Sequence, residues 1–141
     1  MQGPRRIAID GPAGSGKSTI GEQLARHLGY LYVDTGAMYR ALAWLAGHED
    51  VDVNDGPALG RLAQRAEIGI SRPQVADGRQ YTVTVHSRDV TWDIRSPAVT
   101  RAVSLISRHP EVRTVLIAQQ RAMAQQGQVV MVGRDIGAVV L

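Results

Sequence analysis

The segment IDGPAGSGKST, Ile9 to Thr19, sets Gly11, Gly14 and Gly16 ahead of Lys17 and Ser18. Gly11, four intervening residues, Gly16, Lys17 and Ser18 satisfy the pattern G-x-x-x-x-G-K-[ST]. Glycines let a backbone curl with its N–H groups pointing inward, forming a concavity that holds phosphate oxygens. A helix starting near Lys17 adds the positive end of its dipole. In such a loop the lysine reaches the β- and γ-phosphates of a nucleoside triphosphate, and the Ser18 hydroxyl is offered to Mg2+. Gly11, Pro12, Ala13 and Gly14 form the first half of this candidate cradle. Ser15, Gly16, Lys17, Ser18 and Thr19 carry it into the helix. The plainer alternative is a glycine-rich turn before an ordinary helix.

Two further segments hold groups that could do chemistry. VDTGAMYR, Val33 to Arg40, places a carboxylate, a hydroxyl, a glycine and an arginine just after an apolar run. VGRDIG, Val132 to Gly137, places Arg134 and Asp135 after another. In open α/β sheets ligands bind at the carboxyl ends of the strands, where both segments would lie. The histidines at 27, 48, 86 and 109 show no metal-ligand spacing. A downstream D-x-x-G and N-K-x-D, expected of a switch-type GTPase, are both missing, and Asn54 is the only asparagine.

The elements that must position these groups are legible as periodicities. Ile7–Asp10 reads as a short buried strand. Ile20, Leu24, Ala25 and Leu28 then recur at helical spacing, with Gly29 placed to end that helix. YLYVD is a second strand, followed by a helix from about Ala37 with Met38, Ala41, Leu42 and Leu45 on one face and Gly47 at its close. Two strands joined through a helix predict a right-handed βαβ unit and a parallel sheet. Asp55-Gly56-Pro57 starts a helix striped by Leu59, Leu62, Ala63 and Ala66.

From Ile68 to about Asp93 the chain turns to short β segments: IGI, a turn at Asp77-Gly78, then YTVTV in alternation. Ser96-Pro97 is an N-cap and first-turn pair, followed by Val99, Ala102, Val103 and Ile106. A helix from Pro110 uses Val112, Val115, Leu116, Ala122 and Met123, with Gly127 as its stop. VVMV is a wholly apolar third core strand, as a doubly covered parallel strand should be. The expected organisation is α/β: a P-loop core over 1–66, a β-rich insertion over 67–95, and helices with the third strand over 96–141.

Composition narrows the partners. The chain has 141 residues, 44% of them hydrophobic, which suits one globular domain. No apolar run approaches the roughly 18 residues of a membrane span, and no signal peptide is evident, so a cytoplasmic setting is expected. With no cysteine there is no disulfide, thiolate metal site or thiol nucleophile. The net charge of +3 and pI near 9.8 point to anionic partners. The bases are mostly arginine, scattered, with little aromatic interleaving, which favours a small phosphorylated ligand over a nucleic acid.

The phosphate loop, DTGAMYR, the β-rich insertion and GRDIG, in this order, resemble the bacterial cytidylate kinases, a branch of the nucleoside monophosphate kinases, along the whole chain. The resemblance implies a P-loop NTPase-type three-layer core with a parallel sheet and a small antiparallel β insertion in the acceptor-binding region. It implies transfer of the γ-phosphoryl of ATP to CMP or dCMP with Mg2+, by a monomer. The catalytic residues would be Lys17, Arg40 and Arg134.

Arg40 would hold the acceptor phosphate bidentately; a solvated helix arginine is the bland alternative. Thr35 corresponds to a hydroxyl that contacts the acceptor, and equally suits the N-cap of the following helix. Asp34 would orient water around Mg2+ or anchor its loop. Asp135 suits the exocyclic amino group of cytosine, which uracil lacks, while Arg134 adds charge near the acceptor phosphate; a structural ion pair is the alternative. Ser104 and Arg113 match positions that help read the base, against a plain exposed serine and an arginine paired with a nearby acid. Two anion cradles facing each other across the top of a sheet would then align an already anionic attacking oxygen, with no general base.

In the family the chain continues past GRDIGAVVL into a further core strand, an arginine-rich lid and a final helix, so these 141 residues alone are expected to be inactive or nearly so. Two other readings compete: a P-loop kinase for a different monophosphate or shikimate, and a non-catalytic nucleotide-binding module.

Overall fold

The computed structural model describes residues 5–12, 16–134 and 136–141. The chain forms two compact units. The first comprises the N-terminal stretch through Thr35, the segment Ser71–Tyr81 and the chain from Ile117 onward. The second comprises Gly36–Ile70 and Thr82–Leu116.

The first unit is built on a parallel sheet of β1 (Arg6–Asp10), β2 (Leu31–Asp34) and β6 (Val129–Gly133), ordered β1-β6-β2. The two strands read as a βαβ unit lie in one parallel sheet, as predicted, with β6 between them. The reason is in the side chains. All five residues of β6 are buried, as a strand flanked on both edges and covered on both faces requires, whereas β1 is exposed at both ends. Arg6 pairs with Val129 and Asp10 with Gly133, while Leu31 pairs with Val129 and Asp34 with Val132.

Helix α1 (Lys17–Leu28) lies on this sheet through Gly21 and Ala25. A Cβ at Gly21 would stand 2.5 Å from Val132 Cγ2, so only glycine permits the approach. That contact rotates the helix away from its predicted stripe, leaving Ile20 58% and Leu28 41% exposed. Gly29, with φ +72°, ends the helix as predicted, and Tyr30 N–H donates to Ala25 O at 2.9 Å.

In the second unit, α2 (Thr35–His48, from Gly36 on) buries Met38, Ala41, Leu42 and Leu45 as predicted. It runs past Gly47, and the left-handed residue beyond its end is Asp50, φ +55°. Helix α3 (Gly56–Arg65) is capped by Asp55, whose carboxylate accepts from Ala58 N–H at 3.1 Å. It buries Leu59, Leu62 and Ala63.

A three-stranded sheet, β3 (Ile68–Ser71), β4 (Thr82–Val85) and β5 (Arg88–Asp89), follows in the order β3-β4-β5, with β4 and β5 antiparallel. His86 and Ser87, both left-handed, make the tight turn between β4 and β5. Ser96 caps α4 (Pro97–Ile106), accepting from Val99 N–H at 3.3 Å. Helix α5 (Pro110–Gln125) buries the row Val112, Leu116, Gln120 and Ala124, while the predicted Ala122 is exposed. Among the described residues no helix is long and apolar enough to cross a membrane.

Candidate phosphate and acceptor sites

The register of the first sheet brings the ends of its three strands to one edge, since Asp10 is level with Gly133 and Asp34 with Val132. This carboxyl edge carries Gly11, Asp34, Thr35 and Arg134 of the residues picked out in the sequence. The phosphate loop leaves β1 at Gly11, whose N–H donates to Gly133 O at 3.2 Å. Ala13, Gly14 and Ser15 lie outside the described residues. The loop enters α1 through Gly16, with φ +84°, and Lys17 is the first helical residue.

Among the described residues no side chain caps this helix, and no acid stands in its first turn. Its first N–H groups and its dipole are thus left uncompensated by any side chain among the described residues. Lys17 Nζ donates to Pro12 O at 2.9 Å, tying the two ends of the loop, and an ammonium has two further hydrogens to offer. Ser18 and Thr19 are exposed.

Thr35 is buried, and its hydroxyl donates to Val132 O at 3.0 Å. It stands within the first turn of α2, not at the N-cap predicted as its alternative role. The bond depends on Gly133, because a Cβ there would collide with Thr35 Oγ1 and with Ile136. Asp34, half-buried at the end of β2, faces the Tyr81 hydroxyl at 3.5 Å, and Tyr81 in turn lies against Tyr32 with ring centroids 5.7 Å apart.

Arg134 follows β6 as an exposed cation with no hydrogen bond or ion pair among the described residues. Asp135 lies outside them. Sequence reasoning missed Asp10, taken there only as the end of a strand. Its carboxylate accepts from the backbone N–H groups of Ile136 and Gly137, the latter at 3.3 Å. With the bond between Gly11 and Gly133, both sides of the Arg134–Asp135 step are fastened to the start of the phosphate loop. An acid directly before a glycine loop was the available signal.

The remaining predicted residues sit in the second unit. Arg40, half-buried on α2, donates from Nη1 to Ile94 O at 3.1 Å and to Thr100 Oγ1 at 3.0 Å. Ser104 is exposed on α4, one turn beyond Thr100 and so on the same face of that helix. Arg113, exposed on α5, lies near enough to Tyr39 for its charge to act on the phenol. Burial pushes the Tyr39 hydroxyl above its ordinary value, and the Arg113 cation opposes that shift in part. The structure therefore brings Arg40 together with Thr100, and Arg113 with Tyr39, with Tyr39 and Arg40 adjacent in sequence. Among the described residues no cluster of three or more His, Cys, Asp or Glu could hold a metal by itself.

A model of the family described as cytidylate kinase matches residues 7–141. The cytidylate kinase of Roseiflexus castenholzii is 56% identical over 142 aligned positions, which take in 100% of this chain and 61% of that protein. That of Chloroflexus aggregans is 55% identical over 141 positions, with the same shares of 100% and 61%. The bifunctional pantoate ligase/cytidylate kinase of Synechococcus elongatus is 48% identical over 139 positions, 97% of this chain and 26% of that protein. The chain thus spans about 61% of the length of the first two relatives. Matched along nearly all of its residues, with the phosphate loop, DTGAMYR and GRDIG all inside the matched region, the chain belongs to the cytidylate kinase family.

Proposed function

We propose that a protein of the relatives' full length carrying this chain transfers the γ-phosphoryl of ATP to CMP or dCMP, giving CDP or dCDP and ADP, in the cytoplasm. The observation that carries the reading is the phosphate loop in its required setting. A strand leads in, a left-handed Gly16 turns the chain, and a Lys17-led helix leads out, its N-terminus acid-free and capped by no side chain among the described residues. The family match over residues 7–141 supports the acceptor assignment.

In this reading Gly11 through Thr19 wrap the triphosphate, and Lys17 exchanges Pro12 O for phosphate oxygens. Arg40 and Arg134 neutralise the acceptor phosphate, and Asp135 accepts from the cytosine amino group. Ser104 and Arg113 flank the base, while Thr35 holds the carboxyl edge together. The attacking phosphate oxygen is already anionic, so the protein contributes alignment and charge neutralisation, not proton abstraction.

Mg2+ fits the residues present. It keeps several waters and binds through one or two protein oxygens plus substrate phosphates, so it needs no preformed carboxylate cluster. The exposed Ser18 hydroxyl suits a direct contact, and Asp34 suits one through water. Bound there, the ion would offset the charge of the phosphates.

Titrating CMP, dCMP, UMP and AMP separately into the chain tests the acceptor assignment. Tighter binding of CMP and dCMP than of UMP is expected; equal affinity for CMP and UMP overturns a cytosine reader. Radiolabelled transfer from ATP to CMP by the longer protein tests the reaction itself.

A further inference from the structure

We propose that Thr100 is a positioning residue for Arg40, one that determines which edge of the guanidinium is presented to an acceptor phosphate. The inference rests on the reading of Arg40 given above. A guanidinium has five N–H groups in a fixed plane: two on Nη1, two on Nη2 and one on Nε. Arg40 Nη1 meets two acceptors, Ile94 O at 3.1 Å and Thr100 Oγ1 at 3.0 Å, which matches its two hydrogens. Among the described residues no hydrogen bond takes up Nε or Nη2.

What remains is the side edge, where Nε–H and one Nη2–H run parallel and fit two oxygens of one phosphate. The opposite, end-on edge is closed to a phosphate because Nη1 is already engaged. Holding the plane in advance also lowers the ordering cost of binding.

The two holders differ in kind. Ile94 is fully buried in the 3-10 turn Asp93–Arg95, so its carbonyl is a fixed backbone point. Thr100 stands on the exposed face of α4, where a threonine has little packing to do. Its hydroxyl supplies the second point that stops the guanidinium from swinging about the first. Ser104 shares that face one turn on, so α4 would both orient the phosphate-binding arginine and present a residue to the base.

Thr100→Val keeps the shape and removes the acceptor, while Thr100→Ser keeps the acceptor. CMP and cytidine, the same base and sugar without phosphate, are titrated calorimetrically into the wild-type chain and both variants. Thr100→Val should weaken CMP roughly 3- to 10-fold, the net worth of one ordinary hydrogen bond felt through Arg40, and leave cytidine unchanged. Thr100→Ser should bind CMP within about twofold of wild type. Equal weakening of CMP and cytidine, or none, overturns the inference. Arg40→Gln separates it from the underlying reading: if that variant keeps wild-type CMP affinity, Arg40 holds no phosphate and both fall.

A ligand-free measurement stands beside these. Rotation about the Arg40 Cζ–Nη1 bond, read by nitrogen-detected NMR, should be slow in the wild type and faster in Thr100→Val. Unchanged rotation overturns the inference independently of any binding.

Discussion

The Asp10 carboxylate accepts hydrogen bonds from the backbone N–H of Ile136, across 126 positions of sequence, and from Gly137 beside it. Asp10 ends the strand that opens into the phosphate loop, and Ile136 follows the Arg134–Asp135 step. The loop assigned to the donor and the loop assigned to the acceptor therefore share one anchor. Asp10→Asn removes the charge and keeps a single carbonyl acceptor. Stability should fall by about 1–3 kcal/mol, read from the urea midpoint at constant slope. A midpoint equal to wild type would show that the anchor is dispensable.

Gly133→Ala sets a methyl group against Thr35 Oγ1 and Ile136. The expected cost is about 1–3 kcal/mol, as for other overpacked cores. Because the clash involves the threonine oxygen, the same substitution should cost less in a Thr35→Ala background. A double-mutant cycle in chemical denaturation should yield a coupling of at least about 0.5 kcal/mol. Strict additivity would mean that the two residues do not meet.

Lys17→Met removes an ammonium whose one hydrogen bond among the described residues is to the exposed carbonyl of Pro12. Stability should shift by less than about 0.5 kcal/mol, as for other surface changes. Affinity for a fluorescent ATP analogue should drop roughly 10- to 100-fold, the worth of a charge-assisted hydrogen bond. Unaltered affinity would remove Lys17 from the triphosphate site.

Much of this arrangement was legible because local chemistry determined it. Gly29, Asp55 and Ser96 mark helix ends through caps that any helix would favour, and all hold in the structure. The helix start at Lys17, after a left-handed Gly16, was legible for the same reason. What was not legible depended on long-range partners. Nothing in Ile20 or Leu28 announces that Gly21 will lie against Val132 and turn both away. The insertion of VVMV between the first two strands is a choice of topology that periodicity does not encode. Asp10 reads as a strand end until Ile136 arrives beside it. Asp50 ends its helix in a left-handed conformation that a glycine three residues earlier had seemed to claim.

Tyr39 offers a pH signature. Burial raises its folded hydroxyl above the ordinary value of 10.0, so the folded chain favours the neutral phenol. Below that value both folded and unfolded forms are neutral and stability is unaffected. As the pH rises past it the unfolded tyrosine ionises first, and stability falls by up to about 1.4 kcal/mol per pH unit until the folded phenol also ionises. Tyr39→Phe should lose less stability than wild type between pH 9 and pH 11 in urea titrations. Identical losses would mean that the phenol is not held neutral.

The middle position of β6 carries a consequence for synthesis. A ribosome delivers β1 and β2 early, yet neither can zip to the other, because the ribbon that joins them is Val129–Gly133. At roughly 5–20 residues per second, the nascent polypeptide waits on the order of 5–20 s with both ribbons unmated. During that interval their bare amide rows are open to strangers. Translation speed through the second unit thus sets how long the newborn molecule is vulnerable to mispairing.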